Sequence, residues 1–129
     1  MAKGDGLRGD EFVLGSFPIY EVDVEQIRKD ARCTAIMSLM TDEELRQRGL
    51  DEKAQREMYR KLGITAYVRC PIDDDDDQRS TEFFEASKVL HDLIYEKDHK
   101  VFLHCLAGTT RAPTLALIYL CLFMKSTKW

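Results

Sequence analysis

Apolar and polar positions divide this chain into four short apolar segments that alternate with longer, mixed ones. The segments E-F-V-L-G-S-F-P-I, C-T-A-I-M-S-L-M, I-T-A-Y-V-R-C-P-I and K-V-F-L-H-C predict strands, because each is short, apolar and bounded by turn-forming or polar residues. Residues 83, 84, 86, 89, 90, 93 and 94 are apolar at helical spacing. Strands that alternate with helices predict an α/β fold with a central, mostly parallel sheet flanked by helices.

The other predicted helices differ in polarity. A helix near residues 23–31 has acidic residues early and basic residues late, as helix ends prefer. Residues 41–63 are polar and predict one or two surface helices closed by Gly63. The stretch 112–124 is apolar all round and too short to span a bilayer, so it predicts a helix buried in the core rather than a membrane segment. Residues 73–80 predict a loop.

Length and charge limit the class of protein. The 129 residues suit one domain, with residues 1–10 as a flexible tail and residues 11–129 as the folded unit. There are 23 Asp and Glu residues against 19 Lys and Arg, which argues against nucleic-acid binding, because such proteins usually show a basic face. No signal or transit segment opens the chain, so we expect an intracellular, reducing compartment, with the cytoplasm favoured.

Four cysteines are spread along the chain without CxxC spacing, which argues against a zinc finger or a thioredoxin-type motif. An even number of cysteines could form two disulfides, but a reducing compartment favours free thiols. The run of five aspartates lacks the ligand spacing of a calcium loop.

The stretch V-F-L-H-C-L-A-G-T-T-R-A-P, residues 101–113, carries the candidate chemistry. A strand ends at Cys105, small residues follow, and a helix starts near Arg111. The backbone N–H groups of the loop can point inward and hold an oxyanion, and the helix N-terminus faces the same hollow. Arg111 can bind two oxygens of a phosphate, and the same positive field favours a thiolate at Cys105. The predicted phosphate-binding residues are Leu106, Ala107, Gly108, Thr109, Thr110 and Arg111.

Hydrolysis of a phosphate ester also needs an acid that protonates the leaving oxygen. The run Asp73–Asp77 follows the strand that ends near Cys70, and loops at the carboxyl ends of parallel strands share one crevice. We expect one or two of these carboxylates to face Cys105 and the rest to face solvent. His104 is expected to be structural more than chemical.

The segment His104-Cys105-x-x-Gly108-x-x-Arg111 resembles the H-C-x-x-G-x-x-R signature of the cysteine-dependent protein tyrosine phosphatase superfamily. The compact size is similar to the dual-specificity branch of that superfamily. This resemblance implies a dual-specificity phosphatase-like fold and a hydrolase that acts on phosphate monoesters.

The resemblance also implies a role for each candidate residue. Cys105 attacks phosphorus and forms a cysteinyl phosphate, while Arg111 and the loop amides hold the phosphoryl oxygens. The acid of this branch is an aspartate about thirty residues before the cysteine, which makes Asp74 the first candidate and Asp73 the second. His104 orients the loop and supports the thiolate. Neither a metal nor a cofactor is implied.

Several segments resemble the glucan phosphatases, the group of laforin and the plant starch phosphatases. V-L-G-S-F-P is similar to their opening strand and turn, and A-G-T-T-R-A-P-T-L-A-L-I-Y-L to their phosphate loop and its helix. This resemblance implies phosphoglucan as the substrate, with phosphoprotein as the alternative. Tyr59 is the candidate aromatic residue for stacking on a sugar ring, whereas Phe83 and Phe84 suit a helix core equally well.

The chain departs from these relatives at several points. Ala112 stands where most relatives have Ser or Thr, Thr110 where glucan phosphatases have Gly, and Asp75 where the plant enzymes have an aromatic residue. The chain also ends soon after the helix 112–124, whereas relatives continue with further helices. We therefore expect either a fragment or a C-terminally short domain, and a short domain could have its apolar surface covered by a protein partner. A catalytically silent binding or structural subunit is the alternative function.

Overall fold

The computed structural model describes residues 11–73, 80–106 and 110–123. Within these ranges the strands β1 (Phe12–Ser16), β2 (Ala35–Ser38), β3 (Ala66–Arg69) and β4 (Val101–Cys105) form one sheet in the order β1-β4-β2-β3. The helices are α1 (Glu21–Lys29), α2 (Asp42–Gln47), α3 (Glu52–Lys61), α4 (Ser80–His91) and α5 (Arg111–Phe123). A π-helical turn, Asp92–Glu96, continues α4. The α/β fold predicted from the alternation is confirmed.

All three strand pairings are parallel, so the carboxyl ends of the strands meet at one edge of the sheet. Ser16 of β1 pairs with Cys105 of β4, and Ser38 of β2 pairs with His104. Arg69 of β3 pairs with Ser38 on the other side. We refer to this edge as the carboxyl edge, and it is where ligands bind in open α/β sheets.

Helices cover both faces of the sheet. On one face α4 and α5 pack on the strands in a core that includes Met37, Leu90, Leu103, Leu115 and Tyr119. On the other face α1 and α3 pack in a core that includes Val24, Ile27, Ile36, Tyr59 and Phe102. Strand β4 is buried along its whole length, as expected of a central parallel strand.

One predicted helix differs from the sequence-based expectation at its ends, and a second stretch takes the two-helix form of its prediction. Helix α1 begins at Glu21, earlier than predicted, because the Asp23 carboxylate accepts hydrogen bonds from the backbone N–H groups of Ile19 and Tyr20, at 3.2 and 2.9 Å. The stretch 41–63 forms two helices, since the chain turns at Gly49 with a positive φ of 67°.

Helix α5 is not buried all round, which corrects the expectation for residues 112–124. Leu115 and Tyr119 are fully buried against the sheet, but Leu117 is 60% exposed and Cys121 is exposed as well. The helix lies in an outer layer of the described structure, where the sheet and α4 cover part of its surface and leave the rest exposed.

The expected flexible tail, residues 1–10, lies outside the described residues. In the part of the chain that is described, no helix has the length and apolar character needed to cross a bilayer. The same residues hold no group of three or more His, Cys, Asp or Glu side chains placed to bind a metal ion. All four cysteines are described, and no disulfide joins any two of them.

Candidate active site

Cys105 is the last residue of β4 and lies at the carboxyl edge, with only 4% of its surface exposed. Its Sγ accepts a hydrogen bond from the backbone N–H of Ala112, at 3.4 Å. Ala112 is the second residue of α5, which begins at Arg111 as the sequence predicts. The sulfur therefore faces the N-terminus of a helix, as the sequence predicts.

Arg111 is fully buried, and its guanidinium is held from three sides. Its Nη2 donates to Oε2 of Glu44 at 2.7 Å, and its Nη1 donates to Oε1 at 3.0 Å, which makes a bidentate ion pair. Nη1 also donates to the carbonyl oxygens of Ile72 at 2.6 Å and Leu39 at 3.3 Å. These bonds fix the plane of the guanidinium relative to the segments that follow β2 and β3.

Glu44 is a site residue that the sequence analysis did not single out. It is the third residue of α2, where its Oε1 accepts from the backbone N–H of Thr41 at 3.0 Å, while Thr41 Oγ1 accepts from the N–H of Glu44 at 3.2 Å. The segment T-D-E-E is a capping-box pattern, so it indicates where the helix starts but not that Glu44 reaches Arg111. A cation at a helix N-terminus needs an anion nearby, and Glu44 supplies one.

The charge of Glu44 is stabilised by these contacts. Partial burial alone raises the pKa of Glu44, but the hydrogen bonds from Arg111 and Thr41 and the charge of Arg111 outweigh burial and lower it. Glu44 is therefore ionised at neutral pH, and it offsets part of the positive charge of Arg111.

The candidate acids begin next to this pair. Asp73 is exposed and directly follows Ile72, whose carbonyl oxygen Arg111 holds. The structure thus brings the start of the aspartate run to the carboxyl edge. Asp74, the first candidate, lies outside the described residues, so the choice between Asp73 and Asp74 stays a prediction.

The phosphate loop is described at its two ends. Leu106 packs against a small cluster at the carboxyl edge formed by Phe17, Met40 and Leu45. The carbonyl oxygen of Thr110 accepts from the backbone N–H of Thr114 at 3.0 Å in the first turn of α5. Ala107, Gly108 and Thr109 lie outside the described residues, and their predicted role in binding phosphate stays a prediction.

His104 is 1% exposed and packs between the rings of Phe17 and Phe102. Its Nδ1 lies 3.3 Å from the carbonyl oxygen of Cys105, to which it donates when it carries the ring proton. Burial lowers the pKa of His104 to about 4; the charge of Arg111 lowers it as well, against the effect of the Cys105 contact. The ring is therefore neutral at neutral pH and suited to orienting the backbone at Cys105.

The structure corrects the place expected for Tyr59. This residue is 1% exposed and packs on Tyr67 with ring centroids 5.4 Å apart, so its ring has no open face for a sugar. Helix α3 runs opposite to β3: Glu52 at its start contacts Arg69 at the end of the strand. Tyr59, near the end of α3, therefore lies away from the carboxyl edge.

Comparison with known sequences gives a family match over most of the chain. Residues 22–129 match the family described as "Dual specificity phosphatase, catalytic domain". Dual specificity protein phosphatase 26 of Rattus norvegicus is 28% identical over 101 residues, which are 78% of this chain and 46% of that protein. The human protein of the same name gives the same values. The chain therefore spans about half the length of these curated relatives.

Solved structures with the same fold include the Cydia pomonella PTP-2 phosphatase, with a TM-score of 0.63 and 18% identity over 84% of this chain and 63% of that one. Tk-PTP in its active form has a TM-score of 0.60 and 19% identity, over 84% of this chain and 66% of that one. Identities this low show the fold alone. The family match, however, covers residues 22–129 and includes the Cys105–Arg111 segment, so this chain belongs to the dual-specificity phosphatase family.

Proposed function

We propose that this chain hydrolyses phosphate monoesters through a cysteinyl-phosphate intermediate on Cys105. The observation that carries this proposal is the position of the Cys105 sulfur at the N-terminus of α5, whose first residue, Arg111, has a guanidinium held in place by Glu44. A cysteine sulfur can act as a nucleophile, and a fixed guanidinium matches the oxygens of a phosphate. Family membership supports the same reaction.

The proposed reaction has two steps. Sγ of Cys105 attacks phosphorus and forms an S–P bond as the P–O bond to the leaving group breaks, and Asp74, or else Asp73, gives the leaving oxygen a proton. A water molecule then attacks phosphorus, the aspartate takes its proton, and inorganic phosphate leaves as the S–P bond breaks. Arg111 and the loop amides stabilise the charge on the phosphoryl oxygens in both steps.

For the substrate we propose a phosphoprotein first. The support is the curated relatives, which are named as protein phosphatases: dual specificity protein phosphatases 26 and 21, and tyrosine-protein phosphatase vhp-1 of Caenorhabditis elegans. None of these names mentions a glucan, so phosphoglucan becomes the second candidate.

One feature of the surface favours the phosphoglucan candidate. Tyr20 is 66% exposed and Ile19 is 53% exposed, in the turn that follows β1. The strand ends at Ser16, which pairs with Cys105, so the turn begins at the carboxyl edge. Because an exposed aromatic ring can stack on a sugar, Tyr20 replaces Tyr59 as the candidate aromatic contact.

Hydrolysis of a small aryl phosphate at about pH 6 tests the reaction, with the wild type and Cys105→Ser measured side by side. We expect the wild type to turn over and Cys105→Ser to lose all turnover while it unfolds at the same temperature. Among Asp73→Asn and Asp74→Asn, the variant that removes the acid should lose about 10²-fold to 10⁴-fold in kcat for a poor leaving group. Its loss should be smaller for an activated aryl phosphate, which leaves without a proton.

Phosphate release from two further substrates distinguishes a phosphoprotein phosphatase from a glucan phosphatase, and both from a catalytically silent subunit. Phosphate release from a phosphotyrosine peptide but not from phosphorylated amylopectin supports the phosphoprotein, and the reverse supports the glucan. A folded wild type without any turnover would contradict the proposed reaction and favour a phosphate-binding or structural subunit.

A further inference from the structure

A second arginine at the carboxyl edge, Arg69, binds the first residue of α2. Arg69, the last residue of β3, is 15% exposed and donates from Nε to Oε2 of Glu52 at 2.8 Å. Its Nη2 donates to Oδ1 of Asp42 at 2.6 Å and to Oε1 of Glu52 at 3.2 Å. Its Nη1 donates to the carbonyl oxygen of Met40 at 3.1 Å. Arg69 therefore joins the end of β3 to the first residues of α2 and α3.

Arg111 and Arg69 donate hydrogen bonds to neighbouring residues of the connection between β2 and α2. Arg111 holds the carbonyl oxygen of Leu39, and Arg69 holds that of Met40, the next residue. Arg111 also binds Glu44, the third residue of α2, while Arg69 binds Asp42, its first residue. The β2–α2 connection is thus fixed between two guanidinium groups.

Helix α2 depends on such anchors because it has only six residues. An isolated helix of that length is not stable in water. Its one buried side chain is Leu45, in the small cluster with Phe17 and Met40. The position of the Glu44 carboxylate, and with it the Arg111 guanidinium, therefore depends on what holds the start of α2.

The contacts of Arg69 with α2 and α3 are ion pairs. Asp42 and Glu52 both form ion pairs with Arg69, so Arg69 is the cation that the two carboxylates share. The hydrogen bond from Arg69 lowers the pKa of Glu52 despite partial burial, which shows that this carboxylate is stabilised as an anion. Loss of Arg69 would remove the group that ties the starts of the two helices to the end of β3.

We propose that Arg69 is a positioning residue for the Cys105–Arg111 site: by holding Asp42 and the Met40 carbonyl, it fixes the start of α2 and keeps Glu44 against Arg111. This inference rests on the proposed function, since it takes Arg111 to be the group that binds the phosphoryl oxygens. Arg69 acts through α2 and Glu44 and has no chemical role of its own.

Binding of inorganic tungstate tests the inference without requiring turnover, because tungstate is a tetrahedral oxyanion. Its dissociation constant is measured by calorimetry, beside the kcat and KM of aryl phosphate hydrolysis. We expect Arg69→Met to weaken tungstate binding and to lower kcat/KM by between about 10-fold and 100-fold, since a small displacement of a site group has effects of this size. Arg69→Lys should recover only part of the loss, because an ammonium group cannot bind both carboxylates in the same plane.

Arg60→Met is the matched control. Arg60 lies on α3, pairs with Glu57 at 2.7 Å, and its side chain is 69% exposed. This variant removes the same charge from the same region of the chain. Tungstate binding and kcat/KM should stay within about twofold of the wild type.

A double-mutant cycle tests whether Arg69 acts on the site through Glu44. If Arg69 acts through Glu44, then Arg69→Met adds little to the loss already caused by Glu44→Gln. The inference would be overturned if the losses of the two single variants multiplied in the double variant. Wild-type tungstate binding by Arg69→Met would overturn it as well. If Arg69→Met does not fold, Asp42→Asn serves instead: the Asp42 side chain is 78% exposed, and its variant should show the same pattern with a smaller loss.

The two readouts keep this inference apart from the proposed function. A wild type that binds tungstate without hydrolysing aryl phosphate would contradict the proposed hydrolysis, while the tungstate cycle would still decide the role of Arg69. A folded wild type that binds no tungstate would overturn both.

Discussion

At the scale of single residues, the Phe102 ring of β4 occupies the space that a side chain on Gly15 of β1 would need. A Cβ placed on Gly15 would lie 2.3 Å from Cζ and 2.6 Å from Cε1 of the Phe102 ring. Phe102 is 7% exposed and packs with Ile36 and Tyr59, so its ring cannot move aside without disturbing that core. Glycine is required here for space, because close-packed interiors do not absorb an added methyl group.

Gly15→Ala should therefore lower the free energy of unfolding by about 1–3 kcal/mol through overpacking, as measured by urea denaturation. In a Phe102→Leu background the same change should cost clearly less, because the clashing ring atoms are gone. Gly49→Ala is the control: its φ of 67° strains an alanine, but nothing lies within 4 Å of the added Cβ. Gly49→Ala should lower the free energy of unfolding by the same amount in the wild-type and Phe102→Leu backgrounds. If Gly15→Ala also had the same effect in both backgrounds, the packing argument would be contradicted.

At the scale of elements, α2 and α3 start in similar ways but have different consequences. Thr41 Oγ1 caps α2 by accepting from the N–H of Glu44 at 3.2 Å, and Asp51 Oδ1 caps α3 by accepting from the N–H of Lys53 at 3.1 Å. Both caps satisfy a backbone donor that the helix leaves without an internal partner. Only the first cap also orients a residue that binds Arg111.

Thr41→Ala and Asp51→Ala should each lower the free energy of unfolding by about 1 kcal/mol, the usual contribution of an N-cap. Thr41→Ala should in addition lower kcat/KM for an aryl phosphate, by up to roughly fivefold if the whole cap energy positions Glu44. Asp51→Ala should lower kcat/KM less than Thr41→Ala at temperatures where both variants are folded, because its cap does not orient Glu44 directly. Equal kinetic effects of the two variants would show that α2 has no special link to the site.

At the scale of the whole molecule, the sheet holds an uncharged histidine in its interior. Burial lowers the pKa of His104 to about 4, whereas the unfolded chain titrates near 6.5. Between these values the unfolded state binds more protons than the folded state, so stability is complete above about pH 6.5 and falls as the pH drops towards 4. Partial burial also lowers the pKa of His99, which adds to the same slope.

The free energy of unfolding, measured by denaturant titration from pH 7 to pH 4, should therefore decrease steadily. The contribution of His104 is on the order of 3 kcal/mol over this range. His104→Gln should remove most of the slope, although the variant starts from a lower stability at pH 7. A slope that His104→Gln does not change would assign the acid sensitivity to other groups.

Local sequence determined the order and type of the elements and the central chemistry of the site. Four apolar segments predict the four strands, and the stretch from Cys105 to Arg111 predicts a strand, a loop and a helix whose N-terminus faces a sulfur. Such signals are readable because neighbours along the chain produce them. The ends of α1, the division of residues 41–63 into two helices and the π-helical turn after α4 depend on individual caps and turns, which periodicity does not show.

The tertiary structure alone decided which distant residues meet. Glu44 and Arg69 stand 67 and 42 positions before Arg111 and look like ordinary charges of a surface helix and a strand end. Packing nevertheless makes both part of the arrangement that holds Arg111 and the β2–α2 connection. Tyr59 reads as a possible sugar contact, but the direction of α3 across the sheet buries it far from the carboxyl edge. The physical reason is that a guanidinium binds whichever carboxylates and carbonyl oxygens lie within hydrogen-bond distance. Which groups lie there depends on how the strands and helices pack, and not on their separation along the chain.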